Sequence, residues 1–416
     1  MVNSSSTSSI LKQLQKNWYP FTVVSLLFVI FYSANLRKDV IKSHFNRVTK
    51  SMPSPTRTIS YNAREMKYIL LWTNPKNTPF NYFGEGRNIF LRKGCAYTNC
   101  YVTSNRNFLG DYTEFEVIAF NGPELNEYVY MNDLPKRRSE RQKYVYANIE
   151  SASIYPVCSK MWNNYFNWTW TYKLDSSAIW GYFIIRDRNN RIVGPKLNMH
   201  WINQIKMDPI DDNLKVLLLS KTTPIAWFVS NCDSDSRREI YVKHIQAKLS
   251  HYNIEIDIYG TCGNLQCPKS ITDRCFKMLE KKYFFYLAFE NSLSEDYVTE
   301  KVLNAMQHNT VPIVFGGANY TRFLPKGSYL DALKMGPKKL AEEVHRILHS
   351  IDSEYFKFFQ WKKYYSYHKT NENPDGDVYC RFCEMLNDKA KMNTKTVYPR
   401  FSDWWSSEQK CHDKSK

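Results

Sequence analysis

The chain has 416 residues, 43% of them hydrophobic and 16% aromatic, and a net charge of +17 from 57 basic and 40 acidic residues. The composition excludes a disordered chain, and the length is sufficient for two or three domains with hydrophobic cores. Because the basic residues are scattered and no zinc-finger spacing or RNP-type motif occurs, the charge does not favour nucleic-acid binding.

The first predicted element is an apolar segment, Trp18–Ala34, which follows a Ser- and Lys-rich cytosolic tail, residues 1–17. As a helix it would extend about 26 Å, enough for a signal-anchor that crosses a thin secretory-pathway bilayer. A cleaved signal peptide is the alternative, but no clean small-x-small site follows. Residues 35–62 are basic and contain MPSPTRT, which predicts a stem of low order.

The charges around the apolar segment and the residues beyond it favour opposite topologies. More Lys and Arg follow the segment than precede it, which by the positive-inside rule would keep the C-terminal side in the cytosol. However, all ten cysteines and the sequons at Asn167 and Asn319 lie on that side and suit an oxidising lumen. We therefore expect the large C-terminal part to be lumenal.

Short apolar runs with polar endings predict buried strands at Tyr68–Trp72, Glu116–Phe120 and Tyr144–Ile149. A fourth run, Tyr182–Ile185, is a further candidate. We place these strands in a first domain, residues 63–205.

The following part alternates strands with amphipathic helices, and we place a second domain at residues 206–370. Its predicted strands are Ile225–Val229, Ile254–Tyr259, Tyr283–Phe289 and Val311–Phe315. Two stretches have apolar residues at helical spacing, and each predicts an amphipathic helix. The first includes Leu249 and the second includes Ile351. This alternation predicts an α/β fold with parallel sheets and helices on both faces. The absence of a GxGxxG motif gives no support to a standard dinucleotide site.

Glu150 is a candidate general base. It directly follows the predicted strand Tyr144–Ile149, and ligands of parallel sheets gather beyond the carboxyl ends of the strands. A carboxylate there can take a proton from a bound hydroxyl group. The residues alone leave open the alternative of a surface glutamate in a turn.

The most informative segment is Tyr283–Gly317, a predicted strand–loop–helix–strand unit. Its loop and helix start contain Asn291, Tyr297, Glu300 and Lys301. A cation, free helix N–H groups and a carboxylate at this position suit an anionic, sugar-bearing ligand. In the alternative, these polar residues only cap the helix of an ordinary βαβ unit.

A second cation is predicted at Arg238, near the start of the helix after Ser230-Asn231. There a diphosphate would meet both the planar guanidinium and the helix dipole. Arg237 is adjacent, so the register stays open by one residue, and a solvated arginine is the alternative.

Three motifs resemble the donor-binding region of the α1,3-fucosyltransferase family. They are FEN followed after five residues by YVTEK, then VPIVFGG, and NYTRFLP at Asn319–Pro325. The resemblance extends from about Tyr68 to Cys383. It implies an inverting, GDP-fucose-dependent enzyme with a GT-B fold, in which two Rossmann-like domains with parallel sheets face a cleft. It also implies a single-pass type II membrane protein of the Golgi.

The resemblance implies roles for individual residues. YVYANIES resembles the family motif MNxESP, whose glutamate is the catalytic base, and this assigns that role to Glu150, although Ala147 and Ala152 depart from the motif. The residues implied to bind GDP-fucose are Arg238, Asn291, Tyr297, Glu300 and Lys301. Tyr320 and Arg322 lie in the matching NYxRFxP turn, where donor binding and packing are equally good explanations.

Two segments limit what the resemblance implies. Asp233-Ser234-Asp235 has the DxD form that binds a metal ion in GT-A transferases, but it falls where GT-B members have a helix-capping loop. We therefore predict no metal site and no required cofactor, with a divalent cation at most stimulatory. Asn121-Gly122-Pro123 replaces a His/Arg-rich stretch of the family, so the acceptor (core GlcNAc, Lewis-type or LacdiNAc) stays open.

The spacing of Cys380 and Cys383 suggests a zinc site or a redox motif, but no second close pair completes a zinc site and no early βαβ strand precedes the motif. In the family these cysteines bond back to the start of the catalytic domain. This implies bridges to Cys95 and Cys100, and a C-terminal segment, residues 371–416, that packs on the first domain. Left unassigned are Cys158, Cys232, Cys262, Cys267 and Cys275, with a local Cys262–Cys267 bridge as one option.

The sequence thus predicts a Golgi α1,3-fucosyltransferase that transfers fucose from GDP-fucose to the 3-hydroxyl of N-acetylglucosamine in glycoprotein or glycolipid glycans. Its partners would be GDP-fucose, the glycan acceptor and the Golgi membrane, without nucleic acid, and a homodimer stays open. The segment FNWTWTYKLDSS also resembles the family, and we expect glycosylation at Asn167, with Asn319 as the second sequon. The alternatives are a membrane-tethered, glycan-binding pseudoenzyme of the same fold and a binder of anionic polymers.

Overall fold

The computed structural model describes residues 65–406 and Cys411. The predicted tail, membrane span and stem lie outside these residues. Within the part of the chain that is described, no helix combines the length and the apolar character needed to cross a bilayer. The described residues belong to one compact unit.

The described residues form fourteen strands and eleven α-helices. In chain order the strands are β1 Lys67–Leu71, β2 Cys100–Thr103, β3 Val117–Asn121, β4 Lys143–Asn148, β5 Trp168–Thr171, β6 Ala178–Ile179, β7 Phe183–Asp187, β8 Ile192–Gly194, β9 Thr223–Phe228, β10 Ile256–Tyr259, β11 Tyr283–Phe289, β12 Val311–Phe315, β13 Leu330–Asp331 and β14 Tyr365–Lys369. The α-helices are α1 Phe80–Phe83, α2 Asn88–Arg92, α3 Leu125–Tyr130, α4 Asp212–Leu219, α5 Arg238–Leu249, α6 Thr272–Lys282, α7 Glu300–Gln307, α8 Ala332–Leu348, α9 Val378–Asn387, α10 Lys389–Asn393 and α11 Phe401–Trp405.

The first sheet has six strands, all parallel, in the order β2-β1-β3-β4-β5-β6. Every residue of β3 and β4 is buried, as expected when both faces of a parallel sheet are covered. Helix α9 covers part of one face, and its Phe382 ring stacks on Trp170 of β5 with ring centroids 4.1 Å apart. We call this sheet, with residues 65–182 and helices α9–α11, the first lobe.

The second sheet has five strands, all parallel, in the order β10-β9-β11-β12-β13. Alternate residues of β11 enter two different cores, because successive side chains of a strand point to opposite faces. Phe285 and Leu287 pack with helices α5 and α8, whereas Tyr286 and Ala288 pack with α6 and α7. We call this sheet, with residues 212–348, the second lobe.

One predicted strand belongs to a different sheet than expected. The run at Tyr182–Ile185 forms β7, Phe183–Asp187, which lies in a separate antiparallel sheet of order β14-β7-β8 rather than in the first domain's parallel sheet. Its main partner is β14 near the end of the chain, with Tyr367 opposite Ile185. A strand that pairs with residues so distant in sequence gives no local signal of its partner.

All ten cysteines form disulfides. The bridges Cys95–Cys380 and Cys100–Cys383 confirm the pairing of the CxxC motif with the start of the folded region, and they exclude those sulfurs as zinc ligands. The option of a Cys262–Cys267 bridge is wrong. These two cysteines pair instead in Cys232–Cys262 and Cys267–Cys275, and the last pair is Cys158–Cys411.

Replacing Cys95, Cys100, Cys380 and Cys383 together by serine is expected to lower the free energy of unfolding by about 2–5 kcal/mol, because the two bridges together hold distant parts of the unfolded chain close to each other. Denaturant titration followed by tryptophan fluorescence measures the loss. The matched control is the Cys267→Ser, Cys275→Ser pair, whose bridge spans only 8 residues and should contribute less. An equal loss in both variants would contradict this explanation.

Candidate active site

The candidate site lies where the carboxyl ends of the two parallel sheets meet. Residues that follow β4 in the first lobe contact residues that follow β9 and β11 in the second lobe. The Ser151 and Ser294 hydroxyls are 2.7 Å apart, and the Ser153 hydroxyl donates to Asp235 at 2.7 Å. The Tyr297 hydroxyl donates to the Glu150 Oε2 atom at 3.3 Å. Carboxyl ends of parallel strands are where ligands of α/β folds bind.

Glu150 is held from both lobes. Its backbone N–H donates to the Asn148 Oδ1 atom at 2.8 Å, and the Asn148 amide donates to the Tyr146 hydroxyl at 3.1 Å. From the other lobe, Tyr297 approaches the carboxylate with a ring that is only 3% exposed. Burial, together with Tyr182 and Glu150, raises the pKa of Tyr297 far above its usual range. The phenol therefore stays protonated and remains a hydrogen-bond donor to Glu150.

Tyr182 is a site residue that the sequence interpretation missed. Its hydroxyl donates to the Ile149 carbonyl oxygen at 2.6 Å, and its ring lies 6.1 Å from the Tyr297 ring. Burial raises its pKa, and the charges of Glu150 and Glu300 raise it further. In the sequence, Tyr182 is predicted only as the first residue of the strand Tyr182–Ile185.

Lys301 belongs to a buried charge network with Glu290. The Lys301 Nζ atom is 2.9 Å from Glu290 Oε2 and donates to the Thr299 hydroxyl at 2.8 Å. Glu290 is fully buried and also accepts from the Thr299 N–H at 2.8 Å. Burial alone would lower the pKa of Lys301, but the carboxylates of Glu290 and Glu300 raise it above its ordinary value. Lys301 therefore stays charged beside the cleft, and Glu290 is a second residue that the sequence interpretation missed.

The Glu300 side chain is more exposed than that of its neighbour Lys301. Glu300 is the first residue of α7, its side chain is 57% exposed, and its carboxylate lies 3.6 Å from the Lys301 Nζ atom. An exposed carboxylate has free acceptor positions for hydroxyl groups of a ligand.

Arg238 is the first residue of α5, but its side chain is directed into the second lobe. It is 4% exposed and donates to the carbonyl oxygens of Phe289 at 2.6 Å and Asn231 at 3.3 Å. Its Nε atom has no hydrogen-bond partner among the described residues. The charge of Arg238 acts to lower the pKa of Lys301. Arg237 is exposed and has a φ of +52°.

The other predicted donor residues have mainly structural contacts. The Asn291 carbonyl oxygen accepts from the Ser236 N–H at 3.0 Å. Arg322 forms an ion pair with Asp296 at 2.8 Å, which holds the loop before Tyr297. These contacts favour the packing explanation for Arg322.

Tyr320 is also packed rather than open to the cleft. It is 1% exposed, and its hydroxyl has no hydrogen-bond partner among the described residues. A Cβ atom on Gly316 would lie 2.5 Å from that hydroxyl, and one on Gly317 would lie 2.8 Å from the Leu293 backbone. The two glycines of the VFGG motif therefore allow Tyr320 and the loop after β11 to pack closely.

The segment Asp233-Ser234-Asp235 forms hydrogen bonds to residues of both lobes. Asp235 accepts from Ser153 of the first lobe, and the Ser234 hydroxyl donates to Glu239 at 2.8 Å. Among the residues that the structure describes, no group of three or more His, Cys, Asp or Glu side chains is arranged to hold a metal ion.

The two sequons differ in accessibility. The Asn167 side chain is half-buried, and its amide nitrogen, the atom to which a glycan is attached, donates to the Thr396 carbonyl oxygen at 2.8 Å. This nitrogen keeps one hydrogen when a glycan is attached, so glycosylation of Asn167 stays a prediction. Asn319 is exposed, with its Oδ1 atom accepting from the Thr321 hydroxyl at 2.7 Å, and it stays a prediction.

Two family models match the chain: glycosyltransferase family 10 (fucosyltransferase) C-term at residues 218–404, and fucosyltransferase, N-terminal, at residues 64–183. Alpha-(1,3)-fucosyltransferase C of Drosophila melanogaster is 32% identical over 353 residues, covering 81% of this chain and 77% of the relative. Glycoprotein 3-alpha-L-fucosyltransferase A of the same organism is 31% identical over 360 residues, covering 84% of this chain and 62% of the relative. The chain belongs to the fucosyltransferases of glycosyltransferase family 10.

A solved structure described as an alpha1,3-fucosyltransferase with GDP is also similar, with a TM-score of 0.48 and 14% identity. The match covers 83% of this chain and 95% of the solved one. At this level of similarity we draw no conclusion about the site from it.

Proposed function

We propose that the protein is an inverting α1,3-fucosyltransferase, which moves L-fucose from GDP-β-L-fucose to the 3-hydroxyl of N-acetylglucosamine in glycoprotein or glycolipid glycans. The observation that carries the proposal is the contact between Glu150 of the first lobe and Tyr297 of the second, three residues before Glu300. Family membership supports the choice of donor and linkage.

In the proposed reaction Glu150 takes the proton of the acceptor hydroxyl while the hydroxyl oxygen bonds to the anomeric carbon of fucose. The bond from that carbon to the diphosphate oxygen breaks on the opposite side, which inverts the configuration, and GDP leaves with the bonding electrons. Lys301 stabilises the negative charge on the departing diphosphate. Arg238, which donates to the Phe289 carbonyl oxygen at the end of β11, contributes its positive charge from the interior of the second lobe.

The remaining residues position the reactants. Glu300 accepts hydrogen bonds from fucose hydroxyls, and Asn291 contacts the sugar or the phosphates. Tyr297 holds the Glu150 carboxylate in place through its hydrogen bond, which is a positioning contribution. In this proposal side-chain cations act on the diphosphate, so a divalent cation is at most stimulatory.

The proposal includes the cell location and the fold type. The two lobes correspond to the two Rossmann-like domains of a GT-B enzyme that face a cleft. The apolar segment Trp18–Ala34 would anchor the protein in the Golgi membrane as a single-pass type II protein. Support for a lumenal catalytic unit comes from the pairing of all ten cysteines in disulfides.

The test is incubation of residues 62–416 with GDP-fucose on a glycan array, followed by linkage analysis of the products. We expect fucose in α1,3 linkage to N-acetylglucosamine. Binding to glycans without release of GDP would support the pseudoenzyme alternative, and salt-sensitive binding to heparin without competition by GDP would support an anionic-polymer binder.

A further inference from the structure

One hydrogen bond between the lobes joins the loop of the proposed base to the loop that leads to Arg238. Asp235 is three residues before Arg238 and accepts from the Ser153 hydroxyl at 2.7 Å. Ser153 is three residues after Glu150. The proposed base and one of the proposed donor cations are therefore each only three residues from an end of this contact.

The loop that carries Asp235 is fixed on both sides of that residue within the second lobe. Before it, Cys232 is bonded to Cys262 in the loop after β10. After it, the Ser236 hydroxyl donates to the Glu290 carbonyl oxygen at 2.7 Å. This loop therefore cannot follow a shift of the first lobe without breaking these contacts.

The first-lobe side of the contact is buried and is held by a second loop as well. Ser153 is 5% exposed, and its N–H donates to the Ser294 hydroxyl at 3.0 Å. The Ser151 and Ser294 hydroxyls are 2.7 Å apart. Ser294 is three residues before Tyr297, which donates to Glu150. Two loops of the second lobe thus hold the residues that directly follow the proposed base.

The chemistry of this contact suits a positioning task. A hydroxyl group that donates to a carboxylate forms a charge-assisted hydrogen bond, which is shorter and stronger than a bond between neutral groups. The rate of a transfer reaction depends on how the reacting groups are placed, and a displacement of about 1 Å can lower it about 10²-fold. A bond between the two loops acts directly on this placement.

We propose that Ser153 and Asp235 are positioning residues of the transferase, whose hydrogen bond sets the position of Glu150 relative to the donor cations. This inference rests on the proposed function and adds two residues that act through its site. Asp235, the last residue of the DxD-like segment, acts here as a hydrogen-bond acceptor between the lobes and not as a metal ligand.

The test measures kcat, the KM for GDP-fucose and the dissociation constant for GDP, using the full chain in detergent. Asp235→Ala should lower kcat about 10-fold. The other two constants should stay nearly the same, because the donor contacts belong to the second lobe. Asp235→Asn should retain most of the activity, since its amide oxygen can still accept from Ser153. Equal losses in the two variants would overturn the proposal, because a metal ligand or a required charge would give that pattern.

A double variant tests whether the two side chains act through one bond. Ser153→Ala should lower kcat as much as Asp235→Ala does, and the two changes together should cause no further loss. Losses that multiply in the double variant would contradict a shared contact. Asp235 is exposed, so Asp235→Ala leaves the packed interior intact, and thermal unfolding curves verify that each variant is folded.

The matched control is Asp233→Ala, which removes the same charge from an exposed residue two positions earlier in the same loop. It should leave kcat unchanged, and a loss equal to that of Asp235→Ala would overturn the positioning role. Full activity in Asp235→Ala would refute that role while fucose transfer itself persists. If the unmodified protein transfers no fucose, the proposed function fails instead.

Discussion

Replacing Glu150 by glutamine is expected to lower kcat for fucose transfer by about 10²–10⁴-fold. Glutamine keeps the size of the side chain and can still accept a hydrogen bond from Tyr297, but it cannot take the proton of the acceptor hydroxyl. The dissociation constant for GDP should stay nearly the same, because the diphosphate contacts belong to the second lobe. Steady-state kinetics and calorimetric titration with GDP measure the two quantities.

The control for this prediction is Glu140→Gln, an exposed glutamate of the same lobe. It should retain full activity, so a loss in both variants would indicate damage unrelated to proton transfer. Unchanged turnover in Glu150→Gln would refute the role of Glu150 as the base.

Replacing Lys301 by methionine is expected to have two separate effects. The affinity for GDP should fall about 10–100-fold, since a charged hydrogen bond to the diphosphate is lost. The free energy of unfolding should fall by about 3–5 kcal/mol, because Glu290, which is fully buried, would lose its cation.

A double variant, Glu290→Gln with Lys301→Met, separates these effects. It should recover most of the stability, because no unpaired charge remains in the interior, but it should not recover GDP binding. The control is Lys334→Met, whose partner Asp331 forms a surface ion pair that contributes at most about 1 kcal/mol. If the single Lys301→Met variant were as stable as this control, the Glu290 carboxylate would not depend on Lys301.

The stability loss in Lys301→Met should also depend on pH. Burial raises the pKa of Glu290 above its ordinary value, although Lys301 acts to lower it. A group with a raised pKa in the folded state contributes stability below its unfolded pKa and loses it as the pH rises. Without Lys301 the pKa of Glu290 rises further, so the deficit should be small below about pH 4 and grow toward neutral pH.

The sequence predicts those strands best whose signal is entirely local. Tyr283–Phe289 and Val311–Phe315 have the predicted bounds because each is a continuous apolar run buried on both faces. By contrast, β7 and β14 are antiparallel partners from distant parts of the chain. A pattern confined to a few residues cannot indicate such a partner.

The residues of the candidate site also differ in whether a local sequence pattern predicts them. Resemblance to family motifs singled out Glu150, Tyr297, Glu300 and Lys301, and the structure brings these residues together at the carboxyl ends of the two sheets. The importance of Tyr182 and Glu290 depends instead on what surrounds them: the Tyr182 hydroxyl donates to the residue before Glu150, and the Glu290 carboxylate is excluded from water. Depth of burial arises from the whole fold and is absent from any short motif.

The bridges that connect Cys95 and Cys100 to Cys380 and Cys383 have a consequence for how the protein is made. The chain is synthesised from its N-terminus. The Cys95 and Cys100 thiols therefore cannot form these bridges until more than 280 further residues have been synthesised. The second lobe is complete by then, whereas the first lobe lacks helix α9 until the end. A stop codon that removes the last tenth of the chain would therefore remove helix α9 and expose part of one face of the first sheet.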